Sequence, residues 1–208
     1  MSTQAWRERN VMRLILLLPL AMSANLFAAD GPCILPSRGH FQVHVGTAGL
    51  FGALAHNHLI QSERITGCAT LDPRDLTRSS IKVEFPSSAI RVIDPKESAK
   101  DRAEVQKTME TEVLGITQFP TITFESTAIE RAEASDRFRV HGDLTIRGKT
   151  QPAIIPVTLN RLADGTYRAV GEYKFKQTSF GIKPIQLAGG TVKVKDELRV
   201  EFQIVAKP

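Results

Sequence analysis

The feature that most constrains the fold is an alternation of apolar and polar side chains with a period of two residues. Seven stretches show it, around residues 41–45, 81–85, 122–124, 138–146, 155–159, 167–175 and 192–204. Successive side chains of a β-strand point to opposite faces of the sheet, so this pattern predicts strands with one buried and one solvated face. Asp164-Gly165 lies between two of these stretches and predicts a tight hairpin turn.

One segment departs from the alternation in a way that predicts a helix. Residues 96–114 contain no proline or glycine and place Ala99, Ala103, Met109 and Val113 among charged side chains. Straight-chain residues and alanine favour the helical state, so we expect one α-helix at about 97–114. The chain is therefore predicted to be an all-β protein of about eight antiparallel strands with one accessory helix.

Strands with one apolar face can close into a barrel or stack as a sandwich. Three positions expected to face inward, Gly142, Ala169 and Gly171, carry little or no side chain. A barrel lined by them would be underfilled, and unfilled apolar space forfeits dispersion contacts unless a ligand occupies it. A second sheet could fill the same space, so periodicity alone leaves both architectures open.

The first 29 residues are predicted to be a secretion signal rather than part of the fold. Arg7, Arg9 and Arg13 precede the apolar stretch 14–22, and small residues follow up to Ala29. A membrane-spanning helix needs about 20 apolar residues, more than this stretch provides. We expect a signal at 1–29, an extension at 30–37 and one domain at 38–208, with a periplasmic or secreted protein and no membrane span in the mature chain.

Two cysteines, Cys33 and Cys68, lie in the mature chain. Disulfides persist in oxidising compartments, so the two could pair after export. They could equally be two unrelated small buried residues, since nothing in the sequence brings them together.

Charge and motif content exclude several functions. The 27 Lys and Arg against 22 Asp and Glu give a net charge of +5, too small and too scattered for a nucleic-acid-binding surface. No Gly-x-Ser-x-Gly nucleophile elbow or phosphate-binding glycine loop is present. We therefore expect no enzymatic activity, no catalytic residues and no cofactor.

Several stretches together resemble the YceI-like family of exported, lipocalin-shaped, polyisoprenoid-binding proteins. The most specific are Phe119-Pro120 before an alternating strand, Gly142-Asp143-Leu144-Thr145, and the Gly148 turn before Thr150-Gln151-Pro152. Stretches 41–46, 67–72, 105–109 and 177–182 occur in the same order as in the family, and the resemblance covers about residues 38–206.

The resemblance implies a lipocalin-like barrel of eight antiparallel strands, with a helix beside it and a long apolar tunnel. The tunnel would hold a long-chain isoprenoid or other amphiphilic lipid, such as a fatty chain, without an enzymatic step, in a monomer or homodimer. The residues expected to line it are Phe41, Val43, Val45, Met109, Ile122, Phe124, Leu144, Ile146, Phe175, Val200 and Phe202. The helix would pack on the barrel as a plug or lid.

Two histidines allow a different function. His56 and His58 are two residues apart and would point to the same side of an extended segment, as ligands of zinc or copper do. A third ligand such as His40 or His44 would have to approach them. The pair could instead be hydrogen-bonded at the barrel rim or, as the resemblance suggests, contact a lipid head group. The alternative function is thus a periplasmic metal-binding or redox-assisting module.

Overall fold

Long antiparallel strands dominate the computed structural model, which describes residue 34 and residues 38–48, 57–187, 189 and 191–207. The predicted signal, Cys33 and His56 lie outside these residues, so the signal and the disulfide stay predictions. In the part of the chain that the structure describes, no helix combines the length and apolar composition needed to cross a membrane.

The described strands form one antiparallel sheet that curls on itself. Their order across the sheet is β3-β4-β6-β7-β8-β9-β11-β1-β2-β5, and β10 pairs with β11. The strands are β1 His40–Ala48, β2 His58–Ser62, β3 Thr66–Thr70, β4 Ser80–Pro86, β5 Ile90–Val92, β6 Thr121–Arg131, β7 Arg137–Ile146, β8 Lys149–Arg161, β9 Tyr167–Lys176, β10 Gln186–Leu187 and β11 Val192–Ala206.

The all-β prediction is confirmed, but the predicted count of eight strands is not. All seven alternating stretches lie on strands, namely β1, β4, β6, β7, β8, β9 and β11. The additional strands β2, β3, β5 and β10 have only two to five residues each. A strand that short offers too few alternations to stand out in the sequence.

Two tight turns fix the register of the central strands. Arg147 and Gly148 both have positive φ, 50° and 68°, which is the conformation of a two-residue hairpin between β7 and β8. The predicted turn at Asp164-Gly165 joins β8 to β9, with Gly165 at φ 83°. Asp164 also accepts hydrogen bonds from the backbone and hydroxyl of Thr166.

The predicted helix is present and covers a sheet edge. Helix α1, Ala99–Thr108, continues as a π-helical turn, Met109–Leu114, and Ser98 caps its first turn by accepting from the backbone N–H of Asp101. Gln106 accepts from the backbone N–H of Val92 and donates to the carbonyl of Ile90, so it satisfies groups on edge strand β5. Short 3-10 helices occupy Leu76–Arg78, Ser87–Ala89 and Gln177–Phe180.

The curl brings strands that are distant in the sheet into contact. Phe41 of β1 and Phe85 of β4 are not on neighbouring strands, yet their ring centroids lie 4.3 Å apart. Ile34, from the predicted extension, donates to the carbonyl of Gly67 in β3 and pairs with Ala206 at the end of β11. The concave face of the sheet therefore encloses a space.

Candidate functional site

An apolar tunnel runs through the interior enclosed by the sheet and α1. Its volume is about 580 Å³. Ligand pockets in proteins are typically about 300–1,000 Å³ and mostly apolar, so the tunnel has the size and character of a site for a hydrophobic molecule.

The register of the strands explains why the wall is apolar. Val43 lies opposite Val200, and Val200 lies opposite Tyr173 on the other side of β11. Residues directly opposite one another point to the same face of a sheet, so the inward positions of β1, β11 and β9 form continuous rows. Phe124 and Leu144 form an equivalent pair between β6 and β7.

All eleven residues predicted to line a tunnel do line this one. They come from β1, β6, β7, β9, β11 and the turn after α1. Their role as ligand-binding residues stays a prediction.

The tunnel wall also contains residues of two kinds that were not predicted from the sequence. Inward residues of the long strands, such as Val83, Val140 and Ile155, carry the same alternation and could have been selected by it. Ile60 on β2 and Leu76 in a 3-10 helix also line the tunnel, but their short elements give no periodic signal.

The two inward glycines do not leave space, contrary to what their size suggested. A Cβ on Gly171 would lie 2.5 Å from Cζ of Phe202, and one on Gly142 would lie 2.6 Å from Cζ of Phe124. Each phenyl ring already covers the glycine beside it. Of the three small positions, only Ala169 lines the tunnel, so the hollow arises from the curl of the sheet rather than from missing side chains.

Four polar residues of the tunnel wall lie on α1 or beside it, while Ser79, Ser80 and Gln177 come from other segments. Asp101, Glu104 and Thr108 of α1 and His58 of β2 line the tunnel together. A second cavity of about 350 Å³ shares His58 and Asp101 with the tunnel. An amphiphilic molecule would therefore find an apolar interior and a polar end beside α1.

The structure separates His58 from the other histidines that were considered as ligands. His58 pairs with Val45, whose side chain faces the tunnel, whereas His44 pairs with Leu59. His44 and, four residues earlier, His40 therefore point to the opposite face of β1. His44 lies 3.4 Å from Glu201 there, so neither is the third ligand of a site at His58. His56 lies outside the described residues.

His58 instead faces two carboxylates. Its Nδ1 lies 2.9 Å from Oε1 of Glu97, and the donor atoms of His58, Asp94 and Glu97 all lie within 4.8 Å of one another. Asp94 and Glu97 precede α1 in a loop without alternation, which is why the sequence did not reveal them.

The carboxyl groups whose pKa values are lowered do not line the tunnel. Hydrogen bonds from Thr166, with a further contribution from Arg38, lower the pKa of Asp164 to about 2. Hydrogen bonds from Thr77 and Thr178 likewise lower the pKa of Asp75 and of Asp196. In the tunnel wall, burial raises the pKa of Tyr173.

Comparison with known proteins identifies relatives of the whole domain. A family model described as the YceI-like domain matches residues 38–206. The crystal structure of BcnA from Burkholderia cenocepacia is similar, with a TM-score of 0.67 and 18% identity over 84% of this chain and 99% of that chain.

Two further solved structures share the fold. A polyisoprenoid binding domain from Saccharophagus degradans, implicated in plant cell wall breakdown, gives a TM-score of 0.63 at 8% identity, covering 85% of this chain and 98% of its own. The YCEI protein of Campylobacter jejuni gives a TM-score of 0.54 at 14% identity, and the alignment covers 72% of this chain and 84% of that chain. No match was found among curated proteins.

Proposed function

The chain belongs to the YceI-like domain family, and on that premise we propose that it binds a long-chain isoprenoid or other amphiphilic lipid in its tunnel. It carries or sequesters this molecule without catalysing a reaction. The observation that supports the proposal most strongly is the apolar tunnel of about 580 Å³. A structural relative is described as a polyisoprenoid binding domain, which is consistent with the same class of ligand.

Burial of hydrocarbon provides enough free energy for such binding. Each methylene removed from water contributes about 0.8 kcal/mol, so a chain of about twenty methylenes gains roughly 16 kcal/mol. Association costs about 4–15 kcal/mol in lost freedom of motion. For a long chain the free energy of burial therefore exceeds the cost of association, whereas for a short chain it does not. Chain length thus sets the selectivity.

The polar end of the tunnel gives the ligand its direction. Asp101 and His58 line both the tunnel and the second cavity, and Glu104 of the same helix lines the tunnel. The tail would lie along the wall formed by β6, β7 and β11, and the head group would lie at the helix. The predicted signal at 1–29 supports binding in the periplasm or outside the cell. The protein would act as a monomer or a homodimer.

The comparisons do not favour the alternative, a metal-binding or redox-assisting module built on His56 and His58. They match the YceI-like domain and a structure described as a polyisoprenoid binding domain. A third possibility is a structural adaptor whose barrel is packed with its own side chains, and such a protein would lack a tunnel of this size.

A pair of neighbouring substitutions tests the proposal. Ala169 lines the tunnel, and the next residue, Val170, is 40% exposed on the outer face of β9. We expect Ala169→Trp to fill the tunnel and Val170→Trp to leave it open. Native mass spectrometry and organic extraction of protein purified from cells should detect a hydrophobic molecule with wild type and Val170→Trp, and much less with Ala169→Trp. Equal amounts in all three proteins, or none in wild type, would contradict the proposal.

A further inference from the structure

We propose that His58, Asp94 and Glu97 bind a divalent transition metal of the zinc class at the polar end of the tunnel. The proposal does not depend on a bound lipid. It also differs from the histidine pair considered from the sequence, because two of its three ligands are carboxylates from the loop before α1.

Two backbone connections bring His58 and Asp94 together. The N–H of Ile93 donates to the carbonyl of Leu59 at 2.8 Å, which places the start of the loop beside the start of β2. Ile60 pairs with Val92 one step further along the two strands. His58 and Asp94 thus lie side by side although 36 positions separate them in the sequence.

The loop that carries the carboxylates is held in place before any metal binds. Oδ1 of Asp94 accepts from the backbone N–H of Lys96 at 2.9 Å. Nη1 of Arg102 donates to the backbone carbonyls of Asp94 and Glu97, at 3.1 Å and 2.6 Å. Because the guanidinium bonds to the carbonyls, the carboxylate of Glu97 remains available for another cation.

The cluster contains a buried carboxylate oxygen without a hydrogen bond. The side chain of Glu97 is 7% exposed and that of His58 is 20% exposed. Oε1 of Glu97 lies 2.9 Å from Nδ1 of His58, but Oε2 of Glu97 has no hydrogen-bond partner among the described residues. Asp94 is 4% exposed. Unsatisfied buried charge is costly, and such atoms in a native structure indicate a ligand that completes the site.

The donor set selects the class of metal. Two carboxylates balance the charge of a divalent cation, and an imidazole nitrogen favours zinc and its neighbours over magnesium or calcium, which prefer oxygen ligands. Zinc bonds of about 2.0–2.2 Å place tetrahedral donors roughly 3.4 Å apart. The widest separation in the cluster, up to 4.8 Å, therefore closes by rotation of a carboxylate. His58 and Glu97 also line the second cavity, which has room for water to complete the coordination.

The test measures zinc binding to the full chain after treatment with a chelator. We expect one zinc ion per chain by calorimetry and metal analysis, with binding weakened about tenfold or more in Glu97→Gln and in Asp94→Asn, since even outer-shell changes cost about 10–100-fold. His141→Gln is the matched control, because His141 lies 3.2 Å from Glu130 in a comparable histidine–carboxylate pair elsewhere on the sheet. That variant should bind zinc like wild type.

A second set of measurements guards against loss of folding in the variants, because it includes a direct readout on the unsubstituted protein. Zinc should shift the imidazole nitrogen resonances of His58 and raise the melting temperature of wild type but not of Glu97→Gln. Absence of zinc binding, an unchanged affinity in Glu97→Gln, an equal loss in His141→Gln, or a preference for calcium would each overturn the proposal.

Discussion

Adding one methyl group at Gly171 tests how the tunnel wall is built. Gly171 of β9 lies opposite Phe202 of β11 on one side and Val157 of β8 on the other. A Cβ there would lie 2.5 Å from Cζ of Phe202 and 2.6 Å from the backbone oxygen of Pro156. Neither contact is possible without movement, so Gly171→Ala must displace the phenyl ring into the tunnel and strain β8.

The size of the effect follows from two opposing contributions. Overpacking of this kind costs about 1–3 kcal/mol. Replacing glycine with alanine regains about 0.4–1 kcal/mol by restricting the unfolded chain. We therefore expect a net loss of about 1–2 kcal/mol in the free energy of unfolding, which for a chain of this size lowers the melting temperature by roughly 2–8 °C.

The assay is thermal and urea denaturation followed by circular dichroism, with Gly46→Ala as the control. A Cβ at Gly46 would approach only the methylenes of Lys195, the nearest at 3.0 Å, and this flexible side chain can move aside. We expect a change below about 0.5 kcal/mol for that variant. If Gly171→Ala proved as stable as Gly46→Ala, the ring of Phe202 would not cover the glycine and the description of this wall would be wrong.

Three further substitutions test other parts of the structure. Asp164→Asn removes a carboxylate whose pKa is lowered from 3.8 to about 2 by hydrogen bonds from Thr166. The stabilising effect of this carboxylate is present above about pH 4 and is lost as the pH falls to about 2, so acid titrations should show the stability difference from wild type vanishing over that interval. A pH-independent difference would refute this assignment. Phe180→Ala removes a ring that is 2% exposed beneath the tunnel wall, and urea denaturation should show a loss of about 3–5 kcal/mol, whereas a loss below 1 kcal/mol would mean the ring is not packed. Arg147→Ala frees the carbonyl of Val113 at the end of the helical segment, so hydrogen exchange of that segment should accelerate, and unchanged protection would show that this contact does not hold the helix.

The long strands and their turns were predictable because their signals are local. In β7, Phe138 and Val140 are buried while Arg137 and Arg139 are exposed, which repeats the alternation of the sequence directly. The helix was predictable for the same reason, since its composition and the absence of glycine and proline extend over the whole segment.

The short strands and the polar site depend on contacts between distant parts of the chain. Strand β5 has three residues and exists because it pairs with β2 and is covered by Gln106 of the helix. Asp94 and Glu97 face His58 only once that pairing has formed. No local pattern encodes such an arrangement.

The underfilled interior was predicted from glycines that the structure shows to be covered by phenylalanines. Whether a ring lies over a glycine depends on the register between strands, and Phe202 faces Gly171 because of the pairing of β9 with β11. Of the three small positions behind the expected underfilling, only Ala169 lines the tunnel, and the tunnel itself was expected from the resemblance to the YceI-like family.

A crystal structure of the protein purified from cells without detergent would show whether the interior holds a hydrophobic ligand. We expect a continuous rod of electron density, bounded by Phe124, Val140 and Val200, that ends near His58. An interior in which these side chains meet one another, with neither density nor space for a hydrocarbon chain between them, would contradict it.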